Sequence, residues 1–84
     1  MIPRIKSVEP LQDFILRISF DDNKNVLYDV KEDIRDIPSY RPLETEPGLF
    51  GQVLVDESRT VIYWNDRIDL PSDTLYEYGV PVLT

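Results

Sequence analysis

From Phe14 to Phe20 every second position is apolar. Phe14, Leu16, Ile18 and Phe20 fall on one side of an extended chain, while Ile15, Arg17 and Ser19 fall on the other. The alternation predicts a half-buried strand over Phe14–Phe20. A polar stretch, Asp21-Asp22-Asn23-Lys24-Asn25, interrupts it. Alternation then resumes with Val26, Tyr28 and Val30 against Leu27 and Asp29, so the two runs read as a hairpin. Ile5–Pro10 is a shorter run of the same kind, closed by its proline. Gln52–Asp56 and Thr60–Trp64 flank Asp56-Glu57-Ser58-Arg59 and predict a second hairpin. In the last of these runs Thr60, Ile62 and Trp64 share one face, and Val61 and Tyr63 share the other.

The region between the hairpins follows another rule. Ile34 and Ile37 are three apart in Lys31–Ile37, which suits one or two helical turns, and Pro38 and Pro42 forbid anything longer. Leu43, Leu49 and Phe50 are the expected anchors of this connection, and Pro47-Gly48 marks a turn before a possible single helical turn. After Trp64 comes a polar turn and then a short capped helix. Asp69 or Ser72 is the expected N-cap, Pro71 is tolerated in a first turn, and Asp73 sits near the positive end of the helix dipole. Leu75 and Tyr78 are expected to face the sheet and Glu77 to face water. Gly79 suits a left-handed C′ position, and Pro81 blocks continuation. Together these elements predict one α+β domain over residues 1–84: a small antiparallel β-sheet of about five strands, an irregular helical connection and a short C-terminal helix.

Composition narrows the chemistry. The chain has 84 residues, no cysteine and no histidine, and a formal charge of −7 from sixteen acids and nine bases. No disulfide or thiolate metal site can form, and every nucleophile system built on histidine is excluded. Glycines 48, 51 and 79 are dispersed and make no phosphate-cradling loop. The acidic surface repels a phosphate backbone and favours a basic protein partner, although it also serves solubility alone. No apolar run approaches the roughly 20 residues that cross a bilayer, and the start of the chain lacks a signal-peptide core. The expectation is a cytoplasmic protein with no membrane or direct nucleic-acid contact, no cofactor and no enzymatic activity.

Asp21, Asn23, Asn25 and Glu32 match the ligand spacing of a calcium loop. Its sixth position is Val26 instead of glycine, and strand pattern begins there, so a hairpin turn explains these residues better. Asp66, Asp69 and Asp73 form the densest acid group, suited to turn and capping chemistry at a strand-to-helix junction. Neither catalytic nor metal-binding residues are assigned. Apolar residues on both faces of the Thr60–Trp64 strand require cover on both sides, by the helix and by a partner, and sheet edges are natural sites of strand addition. The candidate interaction residues are Tyr63, Trp64, Asp66, Arg67, Asp69 and Tyr76.

The order of features resembles domain-of-unknown-function family 2442, a set of small bacterial proteins. The matching pieces begin with Pro3-Arg4-Ile5, Val8, Pro10-Leu11 and Leu16–Phe20. They continue through Tyr28-Asp29-Val30, Leu43, Leu49-Phe50, Val53 and Val55-Asp56. The most specific are Trp64-Asn65-Asp66, Ile68-Asp69-Leu70 and Asp73-Thr74-Leu75-Tyr76-Glu77. Where members often place a proline directly before the Asp-Thr-Leu-Tyr run, this chain has Ser72, with proline one position earlier. The resemblance implies a compact α+β domain with no attached activity, often encoded beside another small protein in an arrangement similar to toxin–antitoxin pairs. Some longer relatives carry an added helix-turn-helix, which this chain does not match, so DNA binding is not carried over. The resulting expectation is an acidic interaction module, antitoxin-like toward a small basic protein, with a small-ligand or sensor domain as the alternative. An unpaired sheet edge also allows a homodimer.

Overall fold

A computed structural model describes residues 2–82. The alternating runs become two antiparallel sheets. The first contains β1 (Ile5–Pro10), β2 (Ile15–Phe20), β3 (Asn25–Asp29) and a short β7 (Val80–Pro81), in the order β1-β2-β3-β7. The second contains β4 (Leu54–Val55), β5 (Val61–Asn65) and β6 (Ile68–Pro71), in the order β4-β5-β6. Helix α1 (Lys31–Asp36), a 3-10 turn at Pro38–Tyr40, α2 (Pro42–Thr45) and another 3-10 turn at Phe50–Gln52 join them. Helix α3 (Ser72–Tyr78) runs directly from β6 into β7. The architecture is the expected α+β, with two sheets where one was expected and seven strands where about five were.

The inner faces of both sheets meet in one core. Leu16, Ile18, Phe20 and Val26 supply one side, Ile62, Trp64, Ile68 and Leu70 the other, and Leu75 of α3 and Ile34, Tyr40 and Leu43 of the connection close it. The anchoring roles of Leu43, Leu49 and Phe50 are observed: Leu43 is buried, and the other two are half-buried against the core. Ile37 is exposed, so only Ile34 of that pair faces inward.

Phe14 departs from its expected strand. It has a left-handed backbone (φ 58°), as does Asp13 (φ 61°), a geometry costing a bulky residue about 1–3 kcal/mol. The bend ends the alternation at Ile15 and turns the Phe14 ring edge-on to Phe50, 5.2 Å away between centroids. Residues of the calcium-like spacing have other duties. Asp21 pairs with Arg59 at 2.9 Å, Asn23 holds the left-handed turn position (φ 71°), Asn25 takes the Ser19 hydroxyl, and Glu32 lies on α1. Through Arg59 the β4–β5 turn is pinned to the first sheet, since its carbonyl also accepts the Ile5 N–H at 2.7 Å.

The β6–α3 junction corrects several expectations. Asp69 belongs to β6 and caps nothing; Pro71 is the N-cap residue, and no side chain caps the helix. Ser72 is the first helical residue, and its N–H donates to the Thr60 carbonyl at 2.7 Å, extending the β5–β6 ladder. Its hydroxyl is fully buried and has no hydrogen-bond partner among the described residues. A buried unpaired hydroxyl carries a desolvation cost, so Ser72→Ala is expected to raise the unfolding free energy by about 1 kcal/mol. Chemical denaturation followed by circular dichroism checks this; a loss of stability would show that the hydroxyl has a partner.

The helix buries Ser72 and Leu75, the Gly79 that follows it is buried on the same side with Tyr76 half-buried beside them, and Glu77 faces water as expected. Tyr78 falls outside this stripe and is 70% exposed, contrary to its expected inward position. Gly79 follows the helix with φ −67° and ψ 149°, an extended conformation instead of the left-handed one.

Candidate functional site

The six candidate residues separate into three environments. Trp64 is core: it is buried, its indole N–H donates to the Phe50 carbonyl at 2.9 Å, and its ring stacks on Phe50. Tyr76 clasps α3 to the β2–β3 turn. Its hydroxyl donates to Asp22 at 2.6 Å, Phe20 meets its ring edge-on at 4.9 Å, and the Lys24 ammonium lies 3.9 Å from the ring centre. The Tyr76 hydroxyl holds the exposed Asp22 carboxyl below its ordinary range, helped by the Lys24 backbone N–H.

Tyr63, Asp66 and Asp69 come together. Strand alternation sends Tyr63 outward between Ile62 and Trp64, and register sets it between Leu54 of β4 and Asp69 of β6. Asn65 shapes the next turn by accepting the Arg67 and Ile68 N–H groups at 2.8 and 3.1 Å, which leaves Asp66 and Arg67 exposed at the tip. The result is a shallow hollow of about 550 Å³ lined by Asp56, Val61, Tyr63, Asn65, Asp66 and Asp69. Arg67 stands outside that lining. Asp56, which sequence reasoning did not single out, closes the acidic side. It accepts the Ser58 hydroxyl at 2.7 Å and the Ser58 N–H at 3.1 Å, and these bonds hold its carboxyl below the ordinary range. Asp73 is not part of this group; it sits in the first turn of α3, accepting the Thr74 N–H at 2.8 Å. Among the described residues no three acidic side chains are grouped to hold a metal ion.

The family model described as "Protein of unknown function (DUF2442)" matches residues 5–81. The chain belongs to the DUF2442 family. The match spans both sheets, α3 and all six candidate residues of this DUF2442 chain. Neither the comparison with curated proteins nor that with solved structures finds a match. No helix among the described residues is long and apolar enough to cross a membrane.

Tyr40, which periodicity also left unread, supports β6 from the core side. It lies buried in the 3-10 turn after α1, and its hydroxyl donates to the Asp69 carbonyl. That bond occupies a carbonyl of β6, and Pro71 in the same strand has no N–H. Burial, with the charges of Asp33 and Asp69, pushes the Tyr40 phenol up to about 12. Below the ordinary tyrosine value near 10 both folded and unfolded chains keep the proton, so the contribution is complete; between about 10 and 12 the unfolded chain ionises first and stability falls. Tyr40→Phe is expected to lower stability by about 1 kcal/mol at pH 7 and to flatten its decline above pH 10. Urea midpoints across that range check both effects, and an unchanged alkaline slope would show that Tyr40 does not drive it.

Proposed function

We propose that this DUF2442 chain is an acidic protein-interaction module that receives a cationic protein partner on the outer face of the second sheet. The observation that carries the reading is the Leu54–Tyr63–Asp69 row, with Leu54 54% exposed and Asp56 and Asp66 beside it. Apolar and aromatic surface bordered by carboxylates matches lysine- or arginine-bearing surface, and the overall charge of −7 adds long-range attraction. The sheet edges favour face binding over strand addition. β1 has an irregular register between Ile5 and Ser7 and carries Lys6 and Pro10, β4 and β7 are two residues each, and β6 is occupied as described above. An antitoxin-like role, holding a small basic protein, is the biological form of this reading.

Co-expression with the product of an adjacent gene, followed by affinity capture, tests it. The expected result is a complex that weakens with salt and is lost in Tyr63→Ser/Asp69→Asn. No complex, or one indifferent to both salt and these substitutions, would overturn the reading.

One observation favours a small-ligand alternative. Ile2, Pro3, Arg4, Phe20, Thr60 and Tyr76 line a largely apolar cleft of about 710 Å³, bordered by Asp21 and Asp22. A metabolite thermal-shift screen separates the readings, since ligand at 100 times its dissociation constant adds about 2.7 kcal/mol. Stabilisation by a small molecule that Arg4→Ala removes would support the alternative.

A further inference from the structure

A second surface lies at the β3 side of the first sheet, where β3 and β7 meet α1 and α3. Ile15, Leu27 and Val80, from β2, β3 and β7, form the floor of a hollow of about 670 Å³, and Tyr78 forms one wall. Leu27 and Val80 are direct register partners, Ile15 lies diagonally from Leu27, and Arg17, the β2 partner of Leu27, stands on the same side of the sheet outside the lining. Tyr78 and Val80 are 70% and 65% exposed, the greatest exposure among the large hydrophobic residues described. The opposite rim is acidic: Asp29 ends β3, and Glu32 and Asp33 begin α1. Asp33 is positioned by the Tyr28 hydroxyl at 2.8 Å. Three carboxylates and no base line the hollow; Lys31 pairs with Asp29 at 3.2 Å and also donates to the Asp13 carbonyl at 2.7 Å.

We infer that this groove docks a cationic amphipathic segment of a partner protein, with apolar side chains on Ile15, Leu27 and Val80 and lysine or arginine against Glu32 and Asp33. Charge decides between this occupant and a second copy of the chain. A symmetric dimer through the groove would place each acidic rim against another body of charge −7, which is repulsive, whereas a basic segment meets both the rim and the apolar floor. An uncharged apolar ligand would use the floor and leave the rim without a role. The groove is a different surface from the Tyr63 face and is tested separately.

The test uses the whole chain and three synthetic peptides of about fifteen residues, in leucine/lysine, serine/lysine and leucine/glutamate patterns with helical periodicity. Titration is followed by amide NMR shifts and by calorimetry at two salt concentrations. The leucine/lysine peptide is expected to bind saturably and to shift the amides of Ile15, Leu27, Glu32 and Val80. Tyr78→Ser and Val80→Ser, both at exposed positions, are each expected to weaken it about tenfold, with Tyr63→Ser leaving it unchanged. Glu32→Lys, on the exposed surface of α1, is expected to weaken the lysine peptide and favour the glutamate peptide, giving a readout independent of the apolar floor. Equal binding of the serine/lysine peptide would reduce the effect to charge alone and overturn the inference. Shifts confined to another face, or a concentration-dependent dimer abolished by Tyr78→Ser, would overturn it as well. Failure here with a Tyr63-dependent partner complex intact would leave the proposed function standing.

Discussion

Trp64→Ala is expected to destabilise the chain by about 3–5 kcal/mol, the range for truncating a buried large aromatic. A domain of this length has a total stability of roughly 4–13 kcal/mol, so the substitution takes a large share of it and in the lower part of that range unfolds the protein. The loss has three physical parts. The indole is only 6% exposed, so its removal opens a cavity between the two sheets. The Phe50 carbonyl loses the N–H that reaches it at 2.9 Å. Finally, Phe50 stacks on Trp64 at 5.9 Å with an interplanar angle of 26° and meets Phe14 edge-on, so the irregular connection loses its hold on both sheets. Trp64→Phe keeps a ring and removes the donor, and about 1–3 kcal/mol is expected for it. Circular dichroism during urea unfolding measures both variants, because the only fluorescent tryptophan is gone. A Trp64→Ala protein with the wild-type midpoint would contradict the packing described.

Gly79→Ala is the second large effect, and its reason differs from the one the sequence suggests. The backbone at Gly79 is extended and open to any L residue, so no left-handed strain demands glycine. Space demands it: an added Cβ would lie 2.6 Å from the Leu75 carbonyl oxygen, 2.6 Å from Val26 Cγ2 and 2.7 Å from Val26 Cβ. Val26 cannot yield, since it is fully buried in β3 and held in register with Ile18 on one side and Pro81 on the other. The end of α3 must therefore lift from the sheet, and about 3 kcal/mol, the upper end of the usual overpacking range, is expected. Gly79→Asn separates the explanations, because asparagine tolerates a left-handed cap yet still carries a Cβ, so it should fail as alanine does. Gly51→Ala is the control: a Cβ there meets nothing within 4 Å, and its midpoint should stay within about 0.5 kcal/mol of wild type.

The candidate site was legible where strand alternation carried it. Tyr63 is outward and Trp64 inward for the reason visible in Val61–Trp64, that successive side chains of a strand face opposite ways. β6 was not legible, although Ile68 and Leu70 alternate around Asp69. Four residues are too few to outweigh the cap and turn signals of Asp69, Pro71 and Ser72, and only pairing with β5 makes them a strand. The two-residue β4 and β7 are defined by their partners in the same way. Tyr78 was misplaced because a spacing of three from Leu75 suits one helix face, yet the observed stripe through Ser72, Leu75, Tyr76 and Gly79 puts that face elsewhere. Asp56 joins the site across the second hairpin, and Tyr40 bonds the Asp69 carbonyl from a segment 29 residues away, which local periodicity has no means of showing.

What the chain determined by itself is local: two hairpins from period-two alternation, a connection broken by Pro38 and Pro42, a last helix stopped at Gly79, and a strong negative charge. The absence of histidine and cysteine likewise removed whole classes of chemistry before any fold was known. Tertiary structure decided how the strands divide between two sheets, and therefore which apolar residues remain outside. Strand alternation specifies that a residue has a face, but only packing against a second layer tells which face is covered. That distinction buries Trp64, binds Tyr76 to Asp22, and leaves Tyr63 and Tyr78 on two separate acidic surfaces.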